Sequence, residues 1–269
     1  VAAYLGLQQP PMPDGVDSTF AFFLLMLQSP LMMFALALVA RGLGGGLLLR
    51  TLALSFFMWV TYTLNTAVET LAFTTTTVSG ALFTTVSFLV PSLFCGLVIA
   101  QLFPSKKKPE SLSVLAKRFL SSRTTGAWLW RLGLAAIIFV PIYILFGSIV
   151  APLTAEYFQQ NMYGLKQPSQ SEMLLVLVVR SLLFFFASLP IIVFWQQSNR
   201  ELFLKLGFAL FILVGLLYML AAFYMPLEIR VPHTLEILAG SFAYAGMLVV
   251  LVANDRRRLV QEFKARTIS

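Results

Sequence analysis

Long apolar segments alternate with short polar ones along the chain, and this pattern predicts the fold. A helix needs about 20 apolar residues to cross the hydrocarbon core of a bilayer. The segments do not alternate in polarity as barrel strands do, so they favour helices. We therefore predict an all-α, polytopic transmembrane helix bundle forming one membrane domain over residues 1–269. The seven predicted spans are 18–41, 52–73, 79–103, 127–151, 172–195, 203–224 and 234–253.

Glycine and proline mark several of the breaks between spans. "GLGGG" (42–46) separates the first two spans, and "FPSKKKPE" (103–110) ends the third. "MPLEIRVPH" (225–233) lies before the last span and contains two prolines, which favour a break in a helix. The longest external connection is predicted at 153–171.

Composition agrees with this class of protein. Only 11% of the 269 residues are charged, 59% are hydrophobic and the mean hydropathy is +0.86. A soluble domain has roughly 25% charged residues. The net charge of +8 could indicate nucleic-acid binding, but the basic residues form short runs between apolar segments. We therefore predict the lipid bilayer as a partner and no nucleic acid.

The basic residues also predict the orientation of the bundle. Sixteen of the nineteen lysine and arginine residues fall on one side if the N-terminus is outside and the C-terminus inside. Cytoplasmic loops carry such an excess, so we predict this orientation in a bacterial cytoplasmic (inner) membrane. An outside N-terminus at Val1 without a leader indicates a removed signal peptide or a missing upstream span.

The largest basic loop is predicted at 104–126. Within it, "PESLSVLAKRFLSSR" has Leu112, Leu115 and Phe119 at helical spacing, with Lys117 and Arg118 elsewhere on the helical wheel. Such a segment can form an interfacial helix on an anionic inner leaflet. An ordinary solvated loop is the alternative.

Several charged or ionisable residues lie within the spans or at their outer ends, beginning with Glu69 in "NTAVETLAF". Such residues are rare in spans and tend to face the bundle interior or a wet cavity. Residues three or four apart share a helix face, which pairs His233 with Glu236 and Asn65 with Glu69. The predicted orientation places the whole group in the outer half of the bilayer. We predict one polar cluster comprising Asn65, Glu69, Arg180, Arg230, His233 and Glu236.

Arg180 is the natural counter-charge for Glu69 or Glu236, because its guanidinium can hold a carboxylate through two hydrogen bonds. Tyr62, Ser241 and Tyr244 extend the polar faces of the second and seventh spans. Three interpretations remain open: a static ion pair between helices, a pocket for a ligand, and a metal site. The candidate metal ligands are Glu69, His233 and Glu236.

The remaining chemistry-bearing residues exclude some sites. His233 is the only histidine, which rules out a bis-histidine haem held by this chain alone. Cys95 is the only cysteine and reads as a buried structural thiol. The residues identify no cofactor.

Three stretches resemble a group of uncharacterised bacterial polytopic membrane proteins: "ETLAF", "VVRSLLFFFASLPII" (178–192) and "MPLEIRVPHTLEILAGSFAYAGMLVVLV" (225–252). That group has a glutamate in an early span, an Arg-Gly-Leu-Leu-like stretch and an Arg-x-x-His-x-x-Glu motif at the start of the last helix. Ser181 stands at the position of the glycine. The matching residues are Glu69, Arg180, Arg230, His233 and Glu236. The resemblance implies no activity and adds weight to the polar cluster.

Three functions fit these features. The first is an outward-facing polar pocket that binds, passes or processes a small polar or lipid-headgroup substrate. In an enzyme, Glu69 or His233 would act as general base and Arg180 as an anion clamp. A proton-coupled transporter would titrate Glu69 and would need a polar path inward, for which Gln28 and Asn65 are the deepest candidates.

The third function is a non-catalytic accessory or assembly subunit of a larger membrane complex. It is favoured by the lack of a recognised catalytic motif and by 25 phenylalanines that can pack against partner subunits. Lipid-facing aromatic residues explain the phenylalanines equally well.

Overall fold

The computed structural model describes residues 18–105 and 109–253 and is a helix bundle. In the described part of the chain, seven helices are long and apolar enough to span a membrane, which confirms the predicted fold class. The shorter helix α4 connects two of them. The helices are α1 (Ser18–Ala40), α2 (Leu47–Phe73), α3 (Val78–Leu102), α4 (Leu112–Leu120), α5 (Thr125–Gln159), α6 (Gln170–Phe194), α7 (Asn199–Ala221) and α8 (Leu227–Val252).

Two of the spanning helices extend well beyond their predicted bounds. Helix α5 continues to Gln159, so the irregular part of the predicted external loop 153–171 is shortened to 160–169. Helix α8 begins at Leu227 rather than at residue 234 and contains Pro232. A proline removes a single backbone hydrogen bond, and it lies near the start of a helix of 26 residues.

The connections between helices gather at two opposite ends of the bundle. The Arg50 end contains connections 41–46, 103–105, 109–124 and 195–198. The Glu69 end contains connections 74–77, 160–169 and 222–226. At the Arg50 end, the amide of Gly44 donates to Phe194 O and the amide of Gln196 donates to Gly42 O, both at 2.7 Å. At the Glu69 end, the amide of Lys166 donates to Phe73 O at 2.8 Å. Backbone pairing therefore ties distant loops together at both ends.

The described parts of all loops predicted to be cytoplasmic lie at the Arg50 end. The direction in which the bundle inserts stays a prediction. Part of the basic residues that motivated it lie outside the described residues: Lys106, Lys107, Lys108, Arg256, Arg257, Arg258, Lys264 and Arg266.

Helix α4 forms within the basic loop. Leu115 and Phe119 are buried against the bundle, whereas Leu112, in the first turn of the same face, is exposed. The Arg118 guanidinium donates two hydrogen bonds, of 2.9 and 2.7 Å, to the Glu110 carboxylate. The apolar face of α4 is thus already used for packing, and a position in the plane of the membrane surface stays a prediction.

Large apolar side chains are abundant on the outside of the bundle as well as in its core. Phe22, Phe94, Leu48, Leu129 and Val250 are all exposed. Monomeric soluble proteins rarely expose large contiguous apolar surfaces. Together with the seven apolar helices, this outer surface fits an integral membrane protein in contact with lipid.

Arg50 holds three helices together at the end named after it. Its side chain is buried in the first turn of α2. Its guanidinium donates to the carbonyl oxygens of Ala100 at 3.1 Å, Phe103 and Ala40 at 3.5 Å. These carbonyls lie at the C-terminal ends of α1 and α3, where an α-helix leaves oxygens without intrahelical partners and where a cation is favourable.

Replacing Arg50 with methionine is expected to destabilise the bundle by about 2–4 kcal/mol, because buried carbonyl oxygens lose charged donors. Unfolding by detergent titration in bicelles measures this loss. Arg41→Met is the matched control, because Arg41 is exposed and its guanidinium lies over the Phe103 ring. Equal losses for the two variants would contradict the role given to Arg50.

Candidate functional site

Arg180 forms the centre of the polar cluster. It lies on α6 and has a relative side-chain exposure of 3%. Its Nε donates to Oδ1 of Asn65 at 2.9 Å, and its Nη1 lies 3.1 Å from Oε1 of Glu69. The second contact is at ion-pair distance but lacks hydrogen-bond alignment. Asn65 and Glu69 are one helical turn apart on α2, so two side chains on one face of α2 contact the guanidinium.

A π-helical segment precedes this face of α2. It covers Trp59–Leu64, and α7 contains a second π-helical segment at Ile212–Leu216. The rings of Tyr62 and Tyr218 stack with centroids 5.0 Å apart, and the Tyr218 hydroxyl donates to the carbonyl of Tyr62. π-helical turns occur frequently at functional sites, and this one sets the rotation of the residues that follow it.

His233 and Glu236 form a second pair on α8. Nδ1 of His233 lies 2.9 Å from Oε2 of Glu236. The histidine side chain is 24% exposed and the glutamate side chain 8% exposed. The Phe158 ring and the imidazole meet edge to face, with their centroids 6.3 Å apart. The second oxygen of Glu236 lies 3.4 Å from the point where a methyl group on Gly147 would sit.

Both pairs line one cavity of about 880 Å³. Its wall is built from α2, α5, α6, α7 and α8, together with the loop at 160–169. Most of the wall is apolar. Its acidic and basic side chains, among the described residues, are Glu69, Arg180, His233 and Glu236. Four of the six residues of the predicted cluster therefore meet at one cavity, while Asn65 lies behind Arg180 as its hydrogen-bond partner.

Arg230, the sixth residue of the cluster, is placed elsewhere. Its Nε donates to the carbonyl oxygen of Met219 at 2.8 Å, linking the start of α8 to the end of α7. It does not line the cavity. Arg230 therefore contacts the backbone near the C-terminal end of α7, where the helix dipole favours a cation.

Aromatic rings surround the Arg180 guanidinium. Its central carbon lies 5.5 Å from the Phe139 ring centroid, 5.4 Å from that of Tyr143 and 5.8 Å from that of Phe184. The Tyr244 ring packs on Phe139 with centroids 5.7 Å apart. Cations are attracted to aromatic faces within about 6 Å. The rings thus stabilise the buried charge beside the two oxygen partners.

The cavity wall also contains buried polar atoms without hydrogen-bond partners. The Tyr244 hydroxyl, the Thr66 hydroxyl and Nη1 of Arg180 have none among the described residues. Buried polar groups in native proteins are nearly always satisfied by protein atoms or by ordered water. These three atoms are enclosed by neighbouring protein atoms, so they are unsatisfied polar groups within the wall and not contacts for an occupant.

The proposed metal ligands line the same cavity but are not grouped closely enough to hold a metal ion. Within residues 18–105 and 109–253, no group of three histidine, cysteine, aspartate or glutamate side chains could hold a metal ion. Glu69 instead contacts Arg180, and His233 contacts Glu236. This arrangement gives the metal interpretation no support.

Sequence reasoning missed Tyr143, Tyr218 and the aromatic rings around Arg180. Tyr143 is the one polar side chain in "IIFVPIYILFG" (137–147), and a lone polar side chain in an apolar segment could have been identified from the sequence. Tyr218 carries a similar signal in "LVGLLYMLAAF" (213–223). Phe139 and Phe184 could not be distinguished from the many lipid-facing phenylalanines. The π-helical segments had no recognisable pattern either.

The bundle with a polar cluster at one end defines a polytopic helical membrane protein. No protein-family model, no curated protein and no solved structure matches this chain.

The Glu69–Arg180 pair is expected to show a coupling energy in a double-mutant cycle. Glu69→Met leaves a buried guanidinium with one oxygen partner and should cost about 2–4 kcal/mol of the free energy of unfolding. The double variant Glu69→Met/Arg180→Met should cost less than the sum of the single variants, since no charge is left unpaired.

The pair Glu201–Lys205 on α7 is the matched control. Its atoms are 2.7 Å apart, but Glu201 is 47% exposed. Exposed pairs of this spacing contribute about 0.3–0.5 kcal/mol. A coupling energy no larger for Glu69–Arg180 than for this pair would show that burial adds nothing to the contact.

Proposed function

We propose that the protein binds a small amphipathic molecule, either a membrane lipid or a compound with a polar head and an apolar tail, in the cavity at the Glu69 end. The observation that carries this proposal is the meeting of two charged pairs at one largely apolar cavity of about 880 Å³. Ligand sites in proteins typically have volumes of about 300–1,000 Å³ and a few polar groups on an apolar wall.

The division of the wall supports an amphipathic occupant rather than a purely polar one. Apolar residues such as Ile142, Val214 and Ile237 make up most of the wall. A polar solute would lose hydration against this surface without new hydrogen bonds, which costs free energy. An apolar tail gains from the same burial.

Access to the cavity is supported from two directions. Gln167 and Gln170 line it at the Glu69 end and are exposed. Ile144, Ser148 and Ala151 line it on α5 and are also exposed, on the side where lipid would surround the helix. A lipid-derived molecule can therefore approach from the bilayer while its headgroup stays near the membrane surface.

The same groups would serve a chemical step if the occupant is processed. A carboxylate of Glu69 or the imidazole of His233 can accept a proton from a bound group. A role for Arg180 as an anion clamp is less favoured, because two of its nitrogen atoms already face Asn65 and Glu69. Binding is therefore the function that we propose.

Filling the cavity without removing a polar group tests this proposal. Gly147 lines the cavity, and an added Cβ would meet its surroundings at ordinary contact distances of 3.4 Å or more. Gly147→Leu should therefore fold and project its side chain into the cavity. We expect co-purified amphiphile, measured by native mass spectrometry of protein extracted gently from its own membrane, to fall about tenfold, as a loss of 1.4 kcal/mol in binding would give.

Gly133→Leu on the same helix is the control, because nothing lies within 4 Å of the added Cβ and the position is outside the cavity wall. It should retain the amphiphile of the native protein. Equal amphiphile content in the native protein and both variants would refute binding in this cavity. Release of other subunits, instead of a small molecule, would favour the accessory-subunit function.

A further inference from the structure

Resting on the proposed function, we infer that the occupant of the cavity carries a positively charged headgroup, such as an ammonium, and that Glu236 receives it. The inference combines the charge of the cavity wall, the engagement of Arg180, and the surroundings of Glu236. Each is a separate observation.

The charge of the wall disfavours an anionic headgroup. Glu69 and Glu236 contribute two negative charges and Arg180 one positive charge. Among the described residues that line the cavity, the two carboxylates therefore outnumber the one arginine. Two other cations of the same end, Lys166 and Arg230, do not line the cavity. A carboxylate or phosphate headgroup would increase the negative charge, and a cation would reduce it.

Arg180 is compensated before any ligand binds. Asn65 accepts from its Nε at 2.9 Å, and Glu69 lies 3.1 Å from its Nη1. Three aromatic rings cover the guanidinium. An anion would have to compete with Glu69 for this cation. Arg180 and Glu69 therefore form a neutral unit in the wall.

Among the described residues, Glu236 forms no ion pair with an arginine or a lysine. Its Oε2 contacts Nδ1 of His233, and its side chain is 8% exposed. Its Oε1 and atom Cε1 of Tyr143 lie 3.4 Å and 3.8 Å, respectively, from the point where a methyl group on Gly147 would sit. A carboxylate oxygen and an aromatic ring thus border the same small space. The Glu236 carboxylate attracts an organic cation through its charge, and the edge atoms of the Tyr143 ring lie beside it, while Arg180 lies over the face of that ring.

Three probes with the same tail test the sign of the headgroup. Hexadecyltrimethylammonium, hexadecanoate and hexadecanol are each added to the full chain in uncharged maltoside micelles, and retention is measured by native mass spectrometry. We expect the ammonium probe to be retained about tenfold more than hexadecanoate, equivalent to 1.4 kcal/mol. Glu236→Gln should remove this preference without reducing retention of hexadecanol, which verifies that the cavity remains intact.

Glu156→Gln is the matched control, because Glu156 is an exposed carboxylate near the same end that does not line the cavity. It should keep the preference for ammonium. Hexadecanoate retained as well as the ammonium probe, or an unchanged preference in Glu236→Gln, would overturn the inference. If all three probes bind equally and Gly147→Leu releases them all, the headgroup inference fails while the proposed function stands. If Gly147→Leu releases none of the bound probes, the proposed function fails.

Tetramethylammonium, added as a competitor, separates two sources of the cation. Displacement of the ammonium probe by this tail-free ion would support a water-soluble organic cation as the occupant. Failure of the ion to compete, together with retention of the long-chain probe, would support a headgroup carried by a membrane lipid.

Discussion

A buried guanidinium must find oxygen partners within the protein, because the bilayer core offers none. Arg180 meets this requirement only if α2 and α6 lie side by side with Asn65 and Glu69 turned toward α6. That constraint fixes the relative rotation of two helices. It also fixes the cavity, since Glu69 and Arg180 form part of its wall and the rings over Arg180 come from α5 and α6.

Arginine performs two different tasks at the two ends of the bundle. At the Arg50 end, Arg50, Arg123 and Arg131 donate to carbonyl oxygens at helix C-termini. These contacts satisfy backbone groups that would otherwise be left without partners. At the Glu69 end, Arg180 contacts side chains instead and lines the cavity. The arginines of the first end therefore satisfy backbone oxygens, whereas Arg180 pairs with the side chains of another helix.

The fold was largely predictable because apolar segments of sufficient length are a strong local signal. Glu69, Arg180, His233 and Glu236 could be named from sequence, because charge within an apolar segment stands out. The start of α8 was missed because its prolines suggested a break, although Pro232 costs the helix one backbone bond. The placement of Arg230, the aromatic rings and the cavity depends on how helices pack, and a single sequence does not contain that information in any local pattern.

The π-helical segment of α2 divides this span into two halves whose side chains are rotated relative to each other about the helix axis. An extra residue in a helical turn rotates everything beyond it by roughly 100° relative to an uninterrupted α-helix. The half before the π-helical segment, Leu47–Met58, packs most extensively on α3, whereas the half after it, Asn65–Phe73, packs most extensively on α6. A helical wheel drawn from the first turn of α2 would therefore assign Glu69 to the wrong side. One continuous helix thus packs first on α3 and then on α6, each time with the face that points to that neighbour. Without the π-helical segment, this would require two separate helices.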